Sequence, residues 1–167
     1  MQVDVVIEQR FYQCEQGKYW TDNAFPNAFW QRYLAVFVLV TVIARVQPVK
    51  QPKPQWQRVD GERITFTNLP IYIGPVGFLK CIPKLIQILK TRKQINRRVI
   101  YRVPGILSLF YHWFAMPKGK TYGAEVVGDP MDVFAKDASK SPLRPIFKWL
   151  FVNMLRKQCR DAVAISY

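Results

Sequence analysis

Short runs of apolar, mostly β-branched residues recur along the chain and are typical of buried strands. The runs occupy residues 3–8, 38–44, 64–67, 98–103, 124–127 and 162–166. The second run, VLVTVIA, shows no alternation of apolar and polar positions, so we expect it to be buried on both faces, as strands of parallel sheets are. The pattern therefore predicts six strands of a parallel sheet.

Between these runs, apolar residues recur at intervals of three and four, which predicts amphipathic helices. The predicted buried stripes are Phe29, Trp30, Tyr33, Leu34 and Phe37; Leu79, Ile82, Leu85, Ile86 and Leu89; residues 106–114; and Leu143, Ile146, Phe147, Leu150, Phe151, Met154 and Leu155. Ser141 and Pro142 suit the N-cap and first turn of the last helix. Strands and helices in this order predict the α/β class: a doubly wound, Rossmann-like, six-stranded parallel sheet with helices on both faces.

Length and composition favour a single domain over residues 1–167, because half of the residues are hydrophobic. The proline-rich stretch 47–57 is expected to be an extended connection. The apolar run at 34–44 is shorter than the roughly 18 to 20 residues that cross a bilayer. The first residues lack the pattern of a secretory signal. We therefore expect a cytoplasmic location.

The strongest bias in composition is positive charge. Twenty-five Lys and Arg residues against 11 Asp and Glu give a net charge of +14, which attracts polyanions. The basic residues fall in two blocks, around the helix at 79–89 and along the last helix. From these blocks we predict contacts with an anionic membrane surface through Lys80, Lys84, Arg144, Lys148 and Arg156.

Several kinds of chemistry have no signature in the sequence. There is no glycine-rich dinucleotide fingerprint and no phosphate-binding P-loop. Cys14, Cys81 and Cys159 lie far apart, which argues against a disulfide framework or a zinc site. His112 has no partner histidine and is interpreted as structural. We expect neither a metal nor a cofactor.

Candidate binding residues follow the predicted strands, because ligands of open parallel sheets bind at the carboxyl ends of the strands. Carboxylates, amides, arginine and tryptophan in these loops suit a ligand rich in hydroxyl groups. The predicted contacts are Trp20, Asp22, Asn23, Arg102, Gly105, Asp129 and Asp132. The competing interpretation is that Asp129 and Asp132 cap the next segment, Trp20 fills a loop core and Arg102 is solvated.

Taken together, these loops resemble a known family. The segments KYWTDNAFP (18–26), FWQRY (29–33), RVPG (102–105) and GAEVVGDPMDVF (123–134) are similar to the N-terminal domain of family-4 (group 1) glycosyltransferases, which have the two-lobed GT-B fold. The resemblance spans essentially the whole chain.

The resemblance implies transfer of a sugar, with retention and without a metal, from a nucleotide-sugar co-substrate to a glycan or lipid-linked acceptor. This lobe would hold the acceptor, and a C-terminal lobe absent from this chain would hold the donor. Gly17, Lys18 and Tyr19 would face the donor diphosphate. The family's glutamate pair lies in the other lobe, so the catalytic residues stay unassigned and the chain is expected to be inactive alone. Many members carry a histidine where this chain has Pro104 and Gly105.

Two alternatives stay open. Charge and aromatic content would also suit a nucleic-acid-binding domain, the less favoured partner because no nucleic-acid-binding motif is recognisable. An adaptor without catalysis is the third option. For the glycosyltransferase lobe, the cationic helices would rest on the inner face of the cell membrane, giving peripheral attachment from the cytoplasm.

Overall fold

The computed structural model describes residues 1–22, 24–93, 97–128 and 144–167. Within these ranges the chain is a mixed α/β protein. The strands are β1 (Gln2–Cys14), β2 (Tyr19–Thr21), β3 (Leu39–Val49), β4 (Gln57–Arg58), β5 (Ile64–Leu69), β6 (Arg98–Val103), β7 (Gly123–Val126) and β8 (Ala164–Ser166). The helices are α1 (Asn27–Leu34), α2 (Gly74–Thr91), α3 (Ile106–Phe114) and α4 (Arg144–Arg160). None of the helices in the described ranges is both long enough and apolar enough to cross a membrane.

All the strands belong to one sheet. Six of them run parallel in the spatial order β5-β3-β1-β6-β7-β8. The two short strands β2 and β4 pair antiparallel, β2 with the end of β1 and β4 with β2. The described sheet is therefore mixed and has eight strands.

The prediction of a purely parallel, six-stranded sheet is thus wrong in strand number and in direction. The six apolar runs do form the parallel strands, but β1 continues past its apolar run to Cys14 and turns back on itself. The turn closes through hydrogen bonds from the Gly17 amide to the Cys14 carbonyl and from the Cys14 amide to the Lys18 carbonyl. Gly17 has a φ of +76°, a conformation that residues with a Cβ rarely adopt. No strand was predicted at β2, because it is only three residues long and follows polar residues of the turn.

The proline-rich segment predicted as a connection begins inside a strand. β3 extends through Val49, and Pro48 pairs in register with Gln13 of β1. Here β3 pairs with the part of β1 that extends beyond its pairing with β6. The predicted cap at Ser141 and Pro142 lies outside the described residues, and α4 begins at Arg144.

One face of the sheet packs against α1. Val3, Val5 and Phe11 of β1 form a buried cluster with Trp30 and Tyr33 of α1. The three aromatic side chains are close, with ring centroids of Phe11 and Trp30 6.5 Å apart. Alternate residues of β1 therefore point towards α1.

The opposite face packs against the other three helices. Val6 of β1 and Tyr101 of β6 lie in a second buried cluster with Leu85 of α2 and Leu107 of α3, and Leu155 of α4 packs against it. Both faces of the central strands are thus covered by helices, which explains the apolar runs in their sequences.

Candidate ligand-binding cavity

A cavity of about 640 Å³ opens at the carboxyl edge of the parallel strands. It is bordered by the ends of β1 and β3, the first turns of α2 and α3, and one side chain of α4. The lining residues are Glu8, Gln9, Arg10, Asp22, Arg45, Tyr72, Ile73, Gly74, Pro75, Phe78, Ile106 and Phe151. Its volume lies within the range of small-molecule sites.

The cavity lies where the order of the strands reverses. β1 pairs with β3 on one side and with β6 on the other. The connection after β1 carries α1 over one face, whereas α2 and α3 cover the other face. The connections therefore diverge to opposite faces at the carboxyl end of β1, which leaves a crevice there. Open α/β sheets bind ligands in such crevices.

A bulge in β1 places Glu8 in this cavity. Val6 pairs with Ile43 and Arg10 pairs with Arg45, so four steps along β1 match two steps along β3. Extra residues in one strand bend it and redirect its side chains. The carbonyl oxygen of Glu8, released from the ladder, accepts a hydrogen bond from Arg45 Nη2.

The Glu8 carboxyl group lies at the beginning of α3. Its Oε1 accepts a hydrogen bond from the Leu107 amide at 2.6 Å, and its Oε2 accepts one from Tyr72 Oη at 3.4 Å. Burial raises the pKa of Glu8, although the Leu107 amide and the Arg45 guanidinium act in the opposite direction. A carboxyl with a raised pKa, at a cavity wall, can accept or donate a hydrogen bond to a ligand hydroxyl.

Gly105 allows Glu8 and α3 to approach this closely. A Cβ at Gly105 would lie 3.2 Å from Glu8 Cγ, from the Arg102 carbonyl oxygen and from Ser108 Oγ. The Gly105 carbonyl accepts a hydrogen bond from Gln158 Nε2 of α4. Gly105 therefore lies against Glu8, behind the lining of the cavity.

Charged and aromatic groups share the rest of the cavity wall. The Arg45 guanidinium lies over the ring of Tyr72, 4.7 Å from its centroid. Arg10 and Asp22 border the opening, and Asp22 accepts a hydrogen bond from Tyr12 Oη at 2.7 Å. Two guanidinium groups, two carboxyl groups and several aromatic rings thus face one space.

The raised pKa of Glu8 predicts a pH-dependent stability. Because the folded-state pKa lies above the unfolded one, folding favours the protonated carboxyl. This contribution is complete below the ordinary glutamate pKa and is lost as the pH rises through the folded-state value. We expect Glu8→Gln to be more stable than the native chain at neutral pH, and the difference to shrink towards about pH 4. Urea unfolding across this range measures it.

The matched control for that series is Glu15→Gln, because Glu15 is exposed on the hairpin between β1 and β2. This variant should follow the native chain at every pH. Equal stability of Glu8→Gln and the native chain at neutral pH would contradict the expected cost of the ionised Glu8.

The residues predicted to face the donor lie outside the lining of this cavity. Gly17 and Lys18 are exposed at the tip of the hairpin. Tyr19 stacks on Phe66 with ring centroids 4.0 Å apart, and its hydroxyl donates to Asn68 Oδ1 at 3.0 Å. Their predicted role in donor binding stays a prediction.

The structure brings only part of the predicted acceptor set to the cavity. Asp22 lines it and Gly105 lies behind its lining, whereas Trp20 borders a smaller pocket of about 130 Å³ with Cys14 and Lys50. Asn23, Asp129 and Asp132 lie outside the described residues. Acceptor binding by all of these residues stays a prediction.

Arg102 lies in an ionic cluster between α1 and the sheet. It is buried, pairs with Glu125 of β7, and lies 4.8 Å from the ring centroid of Phe25. Glu125 also accepts hydrogen bonds from Tyr33 Oη at 2.7 Å and from Arg32 Nη2 at 2.9 Å. The arrangement gives Arg102 an evident structural role.

The predicted membrane-surface residues lie on α2 and α4. Lys80 and Lys84 are exposed one turn apart on α2, Lys148 is half-buried on α4, and Arg156 is exposed further along α4. Arg144 is the first residue of α4. Leu79, Ile146 and Leu150 on these helices are exposed, so their prediction as members of the buried stripes is wrong.

Sequence reasoning missed four residues that line the cavity: Glu8, Arg10, Arg45 and Tyr72. A signal was present for Glu8, because it is the last residue of the first predicted strand and ligands bind at strand ends. The bulge that turns its side chain inward depends on pairing with β3. Arg45 and Tyr72 come from segments distant in sequence.

Comparison with known proteins gives one further observation. The chain is similar to Protein CapJ of Staphylococcus aureus, with 26% identity over 110 residues. These residues are 66% of this chain and 28% of Protein CapJ, so the match spans less than a third of that protein's length. No family model and no solved structure matches the chain.

Proposed function

We propose that this chain is the acceptor-binding lobe of a retaining glycosyltransferase, which transfers a sugar from a nucleotide sugar to a glycan or lipid-linked acceptor. The observation that carries the proposal is the cavity at the carboxyl end of β1. It combines carboxyl groups, guanidinium groups and aromatic rings in a space of about 640 Å³. Carboxylates accept hydrogen bonds from sugar hydroxyls, guanidinium groups donate to sugar oxygens, and aromatic rings cover the apolar face of a sugar.

The order of the parallel strands supports the fold that this function requires. Numbered along the chain, the parallel strands follow the order 3-2-1-4-5-6, which is the order of doubly wound nucleotide-binding folds. Helices cover both faces. This agrees with one Rossmann-like lobe of a GT-B enzyme, to which the loop sequences are similar.

The similarity to Protein CapJ supports the proposal that this chain acts as one part of a larger protein. Only 28% of that relative is matched, which leaves room for a second lobe that holds the nucleotide sugar. Under this proposal Glu8 and Arg10 contact the acceptor, and the chain alone binds acceptor without transferring a sugar to it.

The experiment is a titration of the isotope-labelled chain with methyl hexosides, followed by NMR. We expect shifts of the Leu107 amide, which donates to Glu8, and weak affinity in the millimolar range. Glu8→Gln and Arg10→Gln should each weaken binding by about tenfold, because a charge-assisted hydrogen bond is lost. Arg58→Gln is the matched control, since Arg58 lies on β4 and pairs with Asp60.

Two results would contradict the proposal. Hydrolysis or transfer of a nucleotide sugar by the purified chain would show that it needs no second lobe. Duplex DNA that binds more tightly than any hexoside, and still binds at about 150 mM salt, would support the nucleic-acid alternative instead.

A further inference from the structure

Two arginines lie side by side on one wall of the candidate cavity. Arg10 of β1 pairs in register with Arg45 of β3. The residues that flank them, Phe11, Ala44 and Val46, belong to the buried cluster on the α1 side. Both arginines therefore point to the opposite face of the sheet, where they line the cavity. Like charges directly across two neighbouring strands destabilise a sheet, and a bound anion would remove that cost.

Neither arginine has a carboxylate partner in the part of the chain that the structure describes, where the ion pairs are made by other residues. Arg45 donates from Nη2 to the carbonyl oxygen of Glu8, which is a neutral acceptor. Its Nε is buried without a hydrogen-bond partner among the described residues. By contrast, the buried Arg102 pairs with Glu125. The arginines of the cavity are thus left without an internal counter-charge.

The first turns of two helices add positive potential to the same space. Gly74 and Pro75 of α2 and Ile106 of α3 line the cavity. Neither first turn contains an acidic residue, and neither N-cap residue forms a side-chain hydrogen bond to its helix. Helix N-termini attract anions through their backbone amides and the helix dipole. Their contribution therefore has the same sign as that of the arginines.

The two carboxyl groups of the cavity do not cancel this charge. Asp22 borders the opening, where it accepts a hydrogen bond from Tyr12 Oη. Burial raises the pKa of Glu8, whose neighbours are Arg45 on β3, Tyr72 before α2 and the amides that begin α3. An anion bound at Arg45 would favour the protonated form of Glu8 further. With Glu8 protonated, two guanidinium groups face one carboxylate, and the cavity carries a net positive charge.

We propose that the cavity selects a sugar that carries an oxyanion, either a carboxylate or a phosphate ester, which is held between Arg10 and Arg45. This inference rests on the proposed function and adds the charge of the acceptor to it. Guanidinium groups match both kinds of oxyanion in bidentate geometry. The rings of Tyr72 and Phe78 in the same lining would lie against the apolar face of the sugar.

The first test compares the affinities of the chain for methyl glucoside, methyl glucuronide and glucose 6-phosphate, measured by NMR titration at one ionic strength. The native chain is expected to bind at least one of the anionic sugars about tenfold more tightly than the neutral one. The tighter of the two anionic sugars identifies the oxyanion as a carboxylate or a phosphate ester.

Variants of Arg10 test where the oxyanion lies, because this side chain is exposed and its replacement should leave the fold intact. Arg10→Gln should remove most of the preference for the anionic sugar, whereas Arg10→Lys, which keeps the charge, should retain a larger part of it. The matched control is Lys118→Gln, which removes the same charge from the exposed loop between α3 and β7. It should leave the preference unchanged.

The pH dependence of the preference is a second readout. Because the oxyanion and a proton on Glu8 favour each other, the preference for methyl glucuronide should fall as the pH rises through the folded-state pKa of Glu8. The glucuronide suits this series because its carboxylate stays ionised above about pH 5. In Glu8→Gln the preference should not change with pH. An equal pH dependence in the native chain and in Glu8→Gln would overturn the placement of the oxyanion beside Arg45.

The outcomes separate this inference from the proposed function. Equal affinities for the neutral and the anionic sugars would overturn the inference and leave the proposed function standing. A preference that Arg10→Gln and Lys118→Gln reduce equally would assign it to the overall charge of the chain and would also overturn the inference. Failure of all three sugars to bind would contradict the proposed function itself.

Discussion

Replacement of Asp4 by alanine is expected to lower the free energy of unfolding by about 3 kcal/mol, because it breaks a buried ionic cluster. Asp4 is 1% exposed in β1. Its carboxylate accepts hydrogen bonds from Arg92 at 3.0 Å, from Arg97 at 3.2 Å and from Tyr111 Oη at 2.6 Å. These partners link the end of α2, the start of β6 and α3 to the first strand. Urea unfolding of the purified variant measures the change.

Two further variants calibrate that expectation. Tyr111→Phe removes one hydrogen bond of the cluster and should lower the free energy of unfolding by about 1 kcal/mol. Asp161→Ala is the matched control, because Asp161 forms an exposed ion pair with Arg160; its effect should be about 0.5 kcal/mol or less. Comparable losses in Asp4→Ala and Asp161→Ala would show that the Asp4 cluster does not stabilise the fold.

Replacement of Glu125 by alanine is the second large effect, again about 3 kcal/mol of unfolding free energy. Glu125 of β7 is the carboxylate partner of the buried Arg102 and also binds Tyr33 and Arg32 of α1. Without it, the Arg102 guanidinium stays buried between Phe25 and Phe29 without a counter-charge. The same unfolding measurement applies.

The double variant Arg102→Met with Glu125→Leu distinguishes a lost charge pair from lost packing. Because both charges are removed together, most of the stability lost in Glu125→Ala should return. A double variant as unstable as Glu125→Ala would contradict the assignment of the loss to an unpaired Arg102. Hexoside binding by the double variant also tests the predicted contact between Arg102 and the acceptor.

The two clusters hold helices to the sheet. The Asp4 cluster ties α2 and α3 to β1 near the amino edge, and the Glu125 cluster ties α1 to β6 and β7. The first turns of α2 and α3 form cavity walls. A cavity built between separately anchored elements keeps its shape without a ligand, which favours binding of weakly interacting hydroxyl groups.

The apolar pattern identified each parallel strand in the described part of the chain, because strands covered on both faces are rich in apolar residues. The same reasoning missed the antiparallel strands β2 and β4, which are only three and two residues long. It also ended β1 at Glu8, whereas pairing with β3 continues to Cys14. Hydrogen bonds between backbones need no apolar side chain, so such extensions leave little trace in composition.

Ligand binding was expected at the carboxyl ends of the strands, and a cavity of about 640 Å³ lies at that edge of the sheet. Asp22 and Gly105 were named in advance, whereas Glu8 and Arg45 were not. Arg102 was expected among the binding residues, and this call stays a prediction; the structure shows that it pairs with Glu125, which the pattern had assigned only to a strand.

The sequence by itself determined the α/β class, the parallel strands, the amphipathic helices and the excess of positive charge, because each depends on the spacing of residue types along the chain. Only the tertiary structure decided that Glu8 turns into a cavity, that Arg45 satisfies its carbonyl and that Arg102 is neutralised by Glu125. It also decided that apolar residues of α2 and α4 stay exposed beside their lysines. Those outcomes depend on strand register and on contacts between distant segments, which no local pattern encodes.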